Sequence, residues 1–156
     1  MKRLVVDIQR CSGCKRCELA CIKEHSYNTE GISNLFINST QNPRIFVESI
    51  NDRPVPVICR HCKEPLCVSA CMAGCMQKDE KTGIVNNQGH IQKCVGCWMC
   101  IMACPFGVIL PSFSENDIDK HLFPQAIKCD FCPDREIPAC VEACPNEVLS
   151  VEEYND

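Results

Sequence analysis

Sixteen of the seventeen cysteines in this 156-residue chain fall into four groups. They are Cys11-Cys14-Cys17-Cys21, Cys59-Cys62-Cys67-Cys71, Cys94-Cys97-Cys100-Cys104 and Cys129-Cys132-Cys140-Cys144. Groups one and three share the spacing C-x2-C-x2-C-x3-C, in which three thiolates wrap one cubane iron–sulfur cluster and the fourth reaches a second. Groups two and four are expanded before their third cysteine, by four intervening residues in one and seven in the other. Sixteen ligands at four per cluster predict four [4Fe–4S] centres, whose use is the movement of single electrons. Only Cys75 is left over.

The other chemistries of cysteine fit less well. A disulfide framework requires an oxidising compartment, yet the chain opens MKRLVVDIQR, without the apolar h-region of a secretory signal. Structural zinc uses C-x2-C pairs, but calls neither for a third and fourth cysteine at this spacing nor for the Cys104-Pro105 and Cys144-Pro145 endings. The apolar fraction of 46 % includes the 17 cysteines; without them it falls to roughly a third, with only nine aromatic residues. A core that thin seldom holds a small fold by burial alone, and metal substitutes for it. The clusters are therefore expected to form the core, with the apo chain largely unfolded.

The formal charge is −4 with cysteine counted as neutral. Each oxidised four-iron core with four thiolates adds about −2, which takes the loaded chain to roughly −12 and argues against nucleic acid as a partner. No apolar run approaches the ~20 residues of a membrane span. A reducing, cytoplasmic setting without a membrane anchor is expected. Arg10, Arg60, Lys93 and Lys128 each sit beside a cysteine group, either as ordinary surface charge or as partial compensation of cluster charge, which raises reduction potential.

The groups alternate compact, expanded, compact, expanded, which makes the sequence an internal repeat of ferredoxin-like modules. Strands are expected over Arg3–Gln9, Arg44–Ile50 and Val55–Ile58, the last interrupted by Pro54 and Pro56, with a short one at Ile84–Val85. Helical turns are expected over Cys17–Glu24 and Cys100–Cys104, closed where proline follows. The polar stretches Asn28–Pro43 and Pro111–Pro124 read as surface loops or partner-facing inserts. The fold class is α+β, with small strands and short helices around the clusters.

The segments CELACIKEHS, NPRIFVE, VICRHCKEPLCVSAC, CVGCWMCIMACPFGVI and IKCDFCPDREIPACVEACP cover nearly the whole chain. They resemble the four-cluster electron-transfer subunits that accompany molybdenum or tungsten oxidoreductases, hydrogenases and carbon monoxide dehydrogenases. The resemblance implies two pseudo-symmetric dicluster modules. The outer one comprises 1–27 plus 125–156 and the inner one 54–110, with 28–53 and 111–124 as connecting inserts. It further implies that the outer groups pair with each other and the inner groups likewise. Cluster A then takes Cys11, Cys14, Cys17 and Cys144, and cluster B takes Cys21, Cys129, Cys132 and Cys140. Cluster C takes Cys59, Cys62, Cys67 and Cys104, and cluster D takes Cys71, Cys94, Cys97 and Cys100. Some members of the family replace a group-three cysteine by tryptophan; here all the cysteines are present beside Trp98, which is expected to pack over a cluster. Group two departs from the family's Cys-Pro ending, with Met72 after Cys71.

The resemblance implies a non-catalytic subunit that relays electrons between a catalytic oxidoreductase and an acceptor such as a ferredoxin, hydrogenase or flavin reductase. CRHCKEPLC and CVGCWMCIMACPFG most resemble the subunit of carbon monoxide dehydrogenase systems. Formate dehydrogenase–hydrogenase complexes and tungsten aldehyde oxidoreductases are the alternatives, and self-association into a conducting filament is a second class of role. A catalytic iron–sulfur enzyme would need an iron with an open site, and no group is short of a cysteine. No glycine-rich nucleotide loop is present. Cys75 is expected to be a buried free thiol, or else an exchangeable ligand in place of Cys71. His25, His61, His90 and His121 lack paired metal-ligand spacing.

Overall fold

The computed structural model describes residues 1–26, 42–88, 91–112 and 124–154. Among them the elements are short, as expected of a protein with ten prolines and few apolar residues. Strand β1 (Lys2–Val6) leads through a 3-10 turn (Ile8–Arg10) into helix α1 (Arg16–Glu24). Strands β2 (Ile45–Ile50) and β3 (Arg53–Ile58) follow, then helix α2 (Leu66–Ser69) and the two-residue strands β4 (Gln77–Lys78) and β5 (Val85–Asn86). Helix α3 (Met99–Ala103), strands β6 (Leu110–Ser112) and β7 (Gln125–Ile127), helix α4 (Ala139–Glu142) and strand β8 (Leu149–Glu153) complete the order. No helix of the described residues is long and apolar enough to cross a membrane.

The strands form four antiparallel two-stranded ribbons, β1-β8, β2-β3, β4-β5 and β6-β7. The first joins the two ends of the chain, with Val6 opposite Leu149 and Lys2 opposite Glu153. The N-terminal ammonium extends this zipper by donating to the Tyr154 carbonyl at 2.8 Å. Contacts between helices follow a simple rule: α1 of group one packs on α4 of group four, and α2 of group two on α3 of group three. Each helix that follows or carries a compact group thus meets one from an expanded group.

Several local expectations are corrected. The strand expected over Arg3–Gln9 stops at Val6. Asp7 then accepts a hydrogen bond from the Gln9 amide at 3.1 Å and turns the backbone into the 3-10 segment. Pro54 and Pro56 do not interrupt β3, which runs unbroken from Arg53 to Ile58. Asn51 and Asp52, both at positive φ (51° and 60°), make the two-residue turn between β2 and β3. Ile50 and Arg53 flank that turn as a hydrogen-bonded pair. Positions 54 and 56 therefore direct their missing N–H away from β2, where a ribbon tolerates proline. The short strand expected at Ile84–Val85 lies one residue later, and the insert expected from Pro111 begins inside β6. Most of the Asn28–Pro43 and Pro111–Pro124 stretches lies outside the described residues.

The interior is built as much from sulfur as from hydrocarbon. Ile45 (0 % exposed), Met76, Val85, Val108 and Ile109 are its apolar centre, and Cys17, Cys21, Cys59, Cys100, Cys129 and Cys140 are buried among them.

One polar network ties the start of the protein to its end. Asp130, in the group-four loop, pairs with Arg44 just before β2 and with His25 at the end of α1 (3.1 Å to Nε2). The same carboxylate accepts from the Cys132 amide at 3.1 Å. Burial pushes the Asp130 carboxyl up, but His25 and Arg44 outweigh it and hold the group well below the usual carboxylate range. Burial lowers the His25 imidazole, but its bonds to Asp130 and Cys21 dominate and raise it to about 10. His25 therefore contributes stability that is complete below its ordinary 6.5 and is lost as pH rises through about 10. Asp130 contributes stability that is complete above its ordinary 3.8 and is lost as pH falls through its depressed value. Replacing Asp130 by Asn strands a buried guanidinium, at a cost on the order of 3–5 kcal/mol. The thermal unfolding midpoint of Asp130→Asn at fixed scan rate is expected to fall well below that of the parent; an unchanged midpoint means that the network contributes nothing.

Candidate iron–sulfur sites

In all four groups the residue before the second cysteine has left-handed backbone: Gly13 (φ 73°), His61 (44°), Gly96 (67°) and Phe131 (68°). Such a residue turns successive amide N–H groups toward one side of the loop, which makes a concavity suited to anions, iron–sulfur clusters among them. Glycine meets this demand in the compact groups without strain. At Gly96 the neighbour excludes anything larger, since an added Cβ would lie 2.6 Å from the Pro124 carbonyl oxygen. The compact loops match again two residues on, where Lys15 (57°) and Trp98 (61°) are left-handed and start α1 and α3. The internal repeat read from cysteine spacing is thus also a repeat of backbone conformation.

Amide hydrogens already point at sulfur. Arg44 N donates to Cys21 Sγ at 3.3 Å, Met76 N to Cys71 Sγ at 3.4 Å and Val148 N to Cys144 Sγ at 3.3 Å. These three sulfurs are the last of their groups. His61 N reaches Cys59 Sγ at 3.5 Å. Such bonds stabilise thiolate and take part in setting cluster potentials.

Three cavities are each walled by a quartet of cysteines drawn from two groups. Cys59, Cys62 and Cys67 of group two line a cavity of about 180 Å³ with Cys104 of group three. Cys94, Cys97 and Cys100 line a second with Cys71, and Cys129, Cys132 and Cys140 line a third with Cys21. The remaining four, Cys11, Cys14, Cys17 and Cys144, belong to two segments that the structure ties together. Asn146 Nδ2 donates to Arg10 O and Ser12 Oγ (both 3.2 Å), and Arg10 pairs with Glu147 at 3.3 Å. Across quartets, Cys17 lies within electrostatic reach of Cys140, Cys129 of Cys59, and Cys67 of Cys100. Sulfurs of different quartets are thus neighbours.

Burial pushes six of these thiols up: Cys17 and Cys100 to about 11, Cys140 to about 12, Cys129 well above the ordinary range, and Cys67 and Cys132 in the same direction. Neighbouring sulfurs add repulsion at Cys100 and Cys140. Cys71 moves the other way: burial raises it, but the Met76 amide and the Cys75 thiol outweigh that and lower it. Crowded, buried thiols become thiolates only when positive charge compensates them, and the iron of a cluster supplies it. The residues present thus fit four-iron clusters: four sulfurs per site, amides directed at sulfur, and largely apolar walls.

Trp98 lines the second cavity beside Cys94, Cys97 and Cys100, all of which face the same space. Cys75, 3 % exposed, lines that cavity too, with its Sγ 3.6 Å from Cys71 Sγ. Of the four basic residues flanking the groups, Arg10 and Lys93 lie at the surface and Arg60 stacks over the Phe106 ring at 4.6 Å. Lys128 alone is buried. His61 is buried as well; desolvation and the neighbouring Lys128 lower its imidazole to about 3, so it is neutral. Its Nδ1 accepts from the Val85 amide at 3.0 Å, which places the ring proton on Nε2. Its ring meets Phe131 edge to face at 5.7 Å, so the left-handed residues of groups two and four touch. Asp130 and Arg44 carried no signal in the sequence, since their partners lie 86 and 105 residues away. His90 and His121 lie outside the described residues.

Comparison with known proteins agrees with this geometry. Residues 53–154 match the model of a 4Fe-4S dicluster domain. The protein is 36 % identical over 149 residues to an iron-sulfur protein of Rhodospirillum rubrum, covering 89 % of its own length and 75 % of that relative. It is 32 % identical over 156 residues to the electron transport protein HydN of Escherichia coli (94 % and 85 % covered). It is also 33 % identical over 154 residues to a component polypeptide of the anaerobic dimethyl sulfoxide reductase of that organism (92 % and 69 % covered). Dicluster domain, cysteine groups and relatives agree, and the chain belongs to the 4Fe-4S dicluster family of iron–sulfur electron-transfer proteins.

Proposed function

We propose that the protein is a wire of four [4Fe–4S] clusters, with cluster A held by Cys11, Cys14, Cys17 and Cys144, and cluster B by Cys21, Cys129, Cys132 and Cys140. Cluster C is held by Cys59, Cys62, Cys67 and Cys104, and cluster D by Cys71, Cys94, Cys97 and Cys100. The observation that carries the reading is the composition of the three cavities, each walled by three cysteines of one group and the last cysteine of another. Sulfur neighbours across the quartets support the order A, B, C, D. The packing of α1 on α4 and of α2 on α3 favours an outer and an inner dicluster module. Cys14 and Cys97, ligands of the two terminal clusters, are exposed and suit entry and exit of electrons.

The clusters supply the redox chemistry; the protein's own part is to position them, exclude water and adjust their potentials. All-cysteine ligation in a weakly polar interior favours low reduction potentials. Among the described residues no catalytic constellation accompanies the cysteines, and the protein serves a catalytic oxidoreductase partner, passing electrons between it and a separate acceptor protein in the cytoplasm. A reductase component and an electron transport protein among the relatives support a subunit role. The segments CRHCKEPLC and CVGCWMCIMACPFG favour carbon monoxide dehydrogenase as that partner, ahead of formate dehydrogenase, hydrogenase or aldehyde oxidoreductase.

Anaerobically reconstituted protein is expected to hold about sixteen irons and sixteen sulfides, and to titrate in one-electron steps without turning over carbon monoxide, formate or hydrogen. About eight irons would leave one module without clusters and defeat the four-cluster reading. Cys75→Ala is expected to keep the full iron content, because the D quartet is complete without it; loss of about four irons would make Cys75 a ligand.

A further inference from the structure

Lys128 is buried to 3 % exposure at the place where groups two and four meet. The residue after β5, Asn87, reaches β7 there, its Nδ2 donating to the Ala126 carbonyl at 2.6 Å. The lysine Nζ donates to the Val85 carbonyl and, at 2.7 Å, to the Cys129 carbonyl. Both acceptors are neutral. The adjacent carboxylate, Asp130, is committed to Arg44 and His25, and no carboxylate among the described residues pairs with Nζ. An ammonium removed from water without a countercharge is strongly disfavoured, so a negative partner has to come from elsewhere.

Its position indicates where. Lys128 lines the cavity walled by Cys59, Cys62, Cys67 and Cys104. Two of its three N–H donors are used by carbonyls, which leaves one. His61 stands in the same wall, 2 % exposed, with an Nε2 that is buried and has no partner among the described residues. Two buried donors thus border a space lined mainly by sulfur and hydrocarbon; Arg60 and Glu64 also line it, but both are exposed to solvent.

We propose that Lys128 is the buried counter-cation of the cluster held by Cys59, Cys62, Cys67 and Cys104 and raises the reduction potential of that cluster. The inference rests on the preceding ligand assignment. Reduction adds one electron and no proton to a centre that is already negative, and a fixed positive charge in the wall favours the reduced form. The electron is thereby stabilised at the crossing between the two halves of the wire. Lysine suits the position because its charge is compact and its long stem reaches the wall from the residue that follows β7.

The test uses the full chain, reconstituted anaerobically, with Lys128→Gln, Lys128→Met and Lys128→Arg. Glutamine keeps hydrogen-bond donation without charge, methionine keeps length alone, and arginine keeps charge. Redox titration followed by electron paramagnetic resonance is expected to show one step moved to lower potential in the Gln and Met variants. The shift is expected to be at least tenfold in the reduction equilibrium, about 59 mV for a one-electron couple. The Arg variant is expected to stay near the parent. Failure of Gln and Met to load that cluster while Arg loads it also supports the proposal, because charge is then what the site requires. A Gln variant with all clusters present and no shifted step overturns it, as does failure of all three variants to load. Parent protein with fewer than four clusters would instead defeat the ligand assignment, a result visible in iron analysis before any potential is measured.

Discussion

Everything in this protein depends on an electrostatic demand: sulfurs crowded into weakly polar cavities ionise only in the company of positive charge. Desolvation drives most of the buried thiols above their ordinary range, and adjacent sulfurs push several of them further. Iron answers that demand at four points per site. The geometry of the loops prepares the answer, since left-handed residues before each second cysteine turn amides toward the sulfur side. The secondary structure around them is correspondingly slight. Two-residue strands and single-turn helices would be marginal by themselves, but they suffice as struts between sites that hold their own shape once loaded.

The cysteine spacing made the sites legible because ligation is a local chemistry in which three of each four sulfurs come from one short loop. The family and its electron-transfer chemistry were readable for the same reason. Spacing alone left the partner groups open, because the fourth sulfur of each site arrives from a distant segment. Only the resemblance suggested them, and the cavity walls now favour the same sets. The strand ends shifted because Asp7 and the Asn51-Asp52 turn act through local hydrogen bonding and positive φ, which hydrophobic patterning does not register. The Arg44–Asp130–His25 network was illegible for a plainer reason: its members are far apart in sequence and fit no spacing.

Burial also sorts residues that looked equivalent. Four basic residues flanked the cysteine groups, and either surface charge or compensation of cluster charge could explain them all. Arg10 pairs with Glu147 at the surface and Arg60 stacks on Phe106, so neither needs a cluster to account for it. Lys128 is enclosed. A buried lysine that donates only to neutral carbonyls, beside an Asp130 already paired with Arg44 and His25, differs physically from one in water, although the sequence writes both with one letter.

The zipper between β1 and β8 carries a consequence for biosynthesis. It joins residues 2–6 to residues 149–153, and with the packing of α1 on α4 it brings the first cysteine group to the last. The quartets assigned to C and D are complete in sequence once Cys104 has been made. Those assigned to A and B must wait for Cys140 and Cys144, near the end of translation. Under these ligand sets the inner clusters can assemble on a nascent polypeptide while the first four cysteines stay uncommitted. Lys128 arrives only in between, after C has its sulfurs and before the outer module closes. Under the same ligand sets the order of synthesis permits the inner sites to load first, and truncation before Cys140 removes at least one ligand from each outer site.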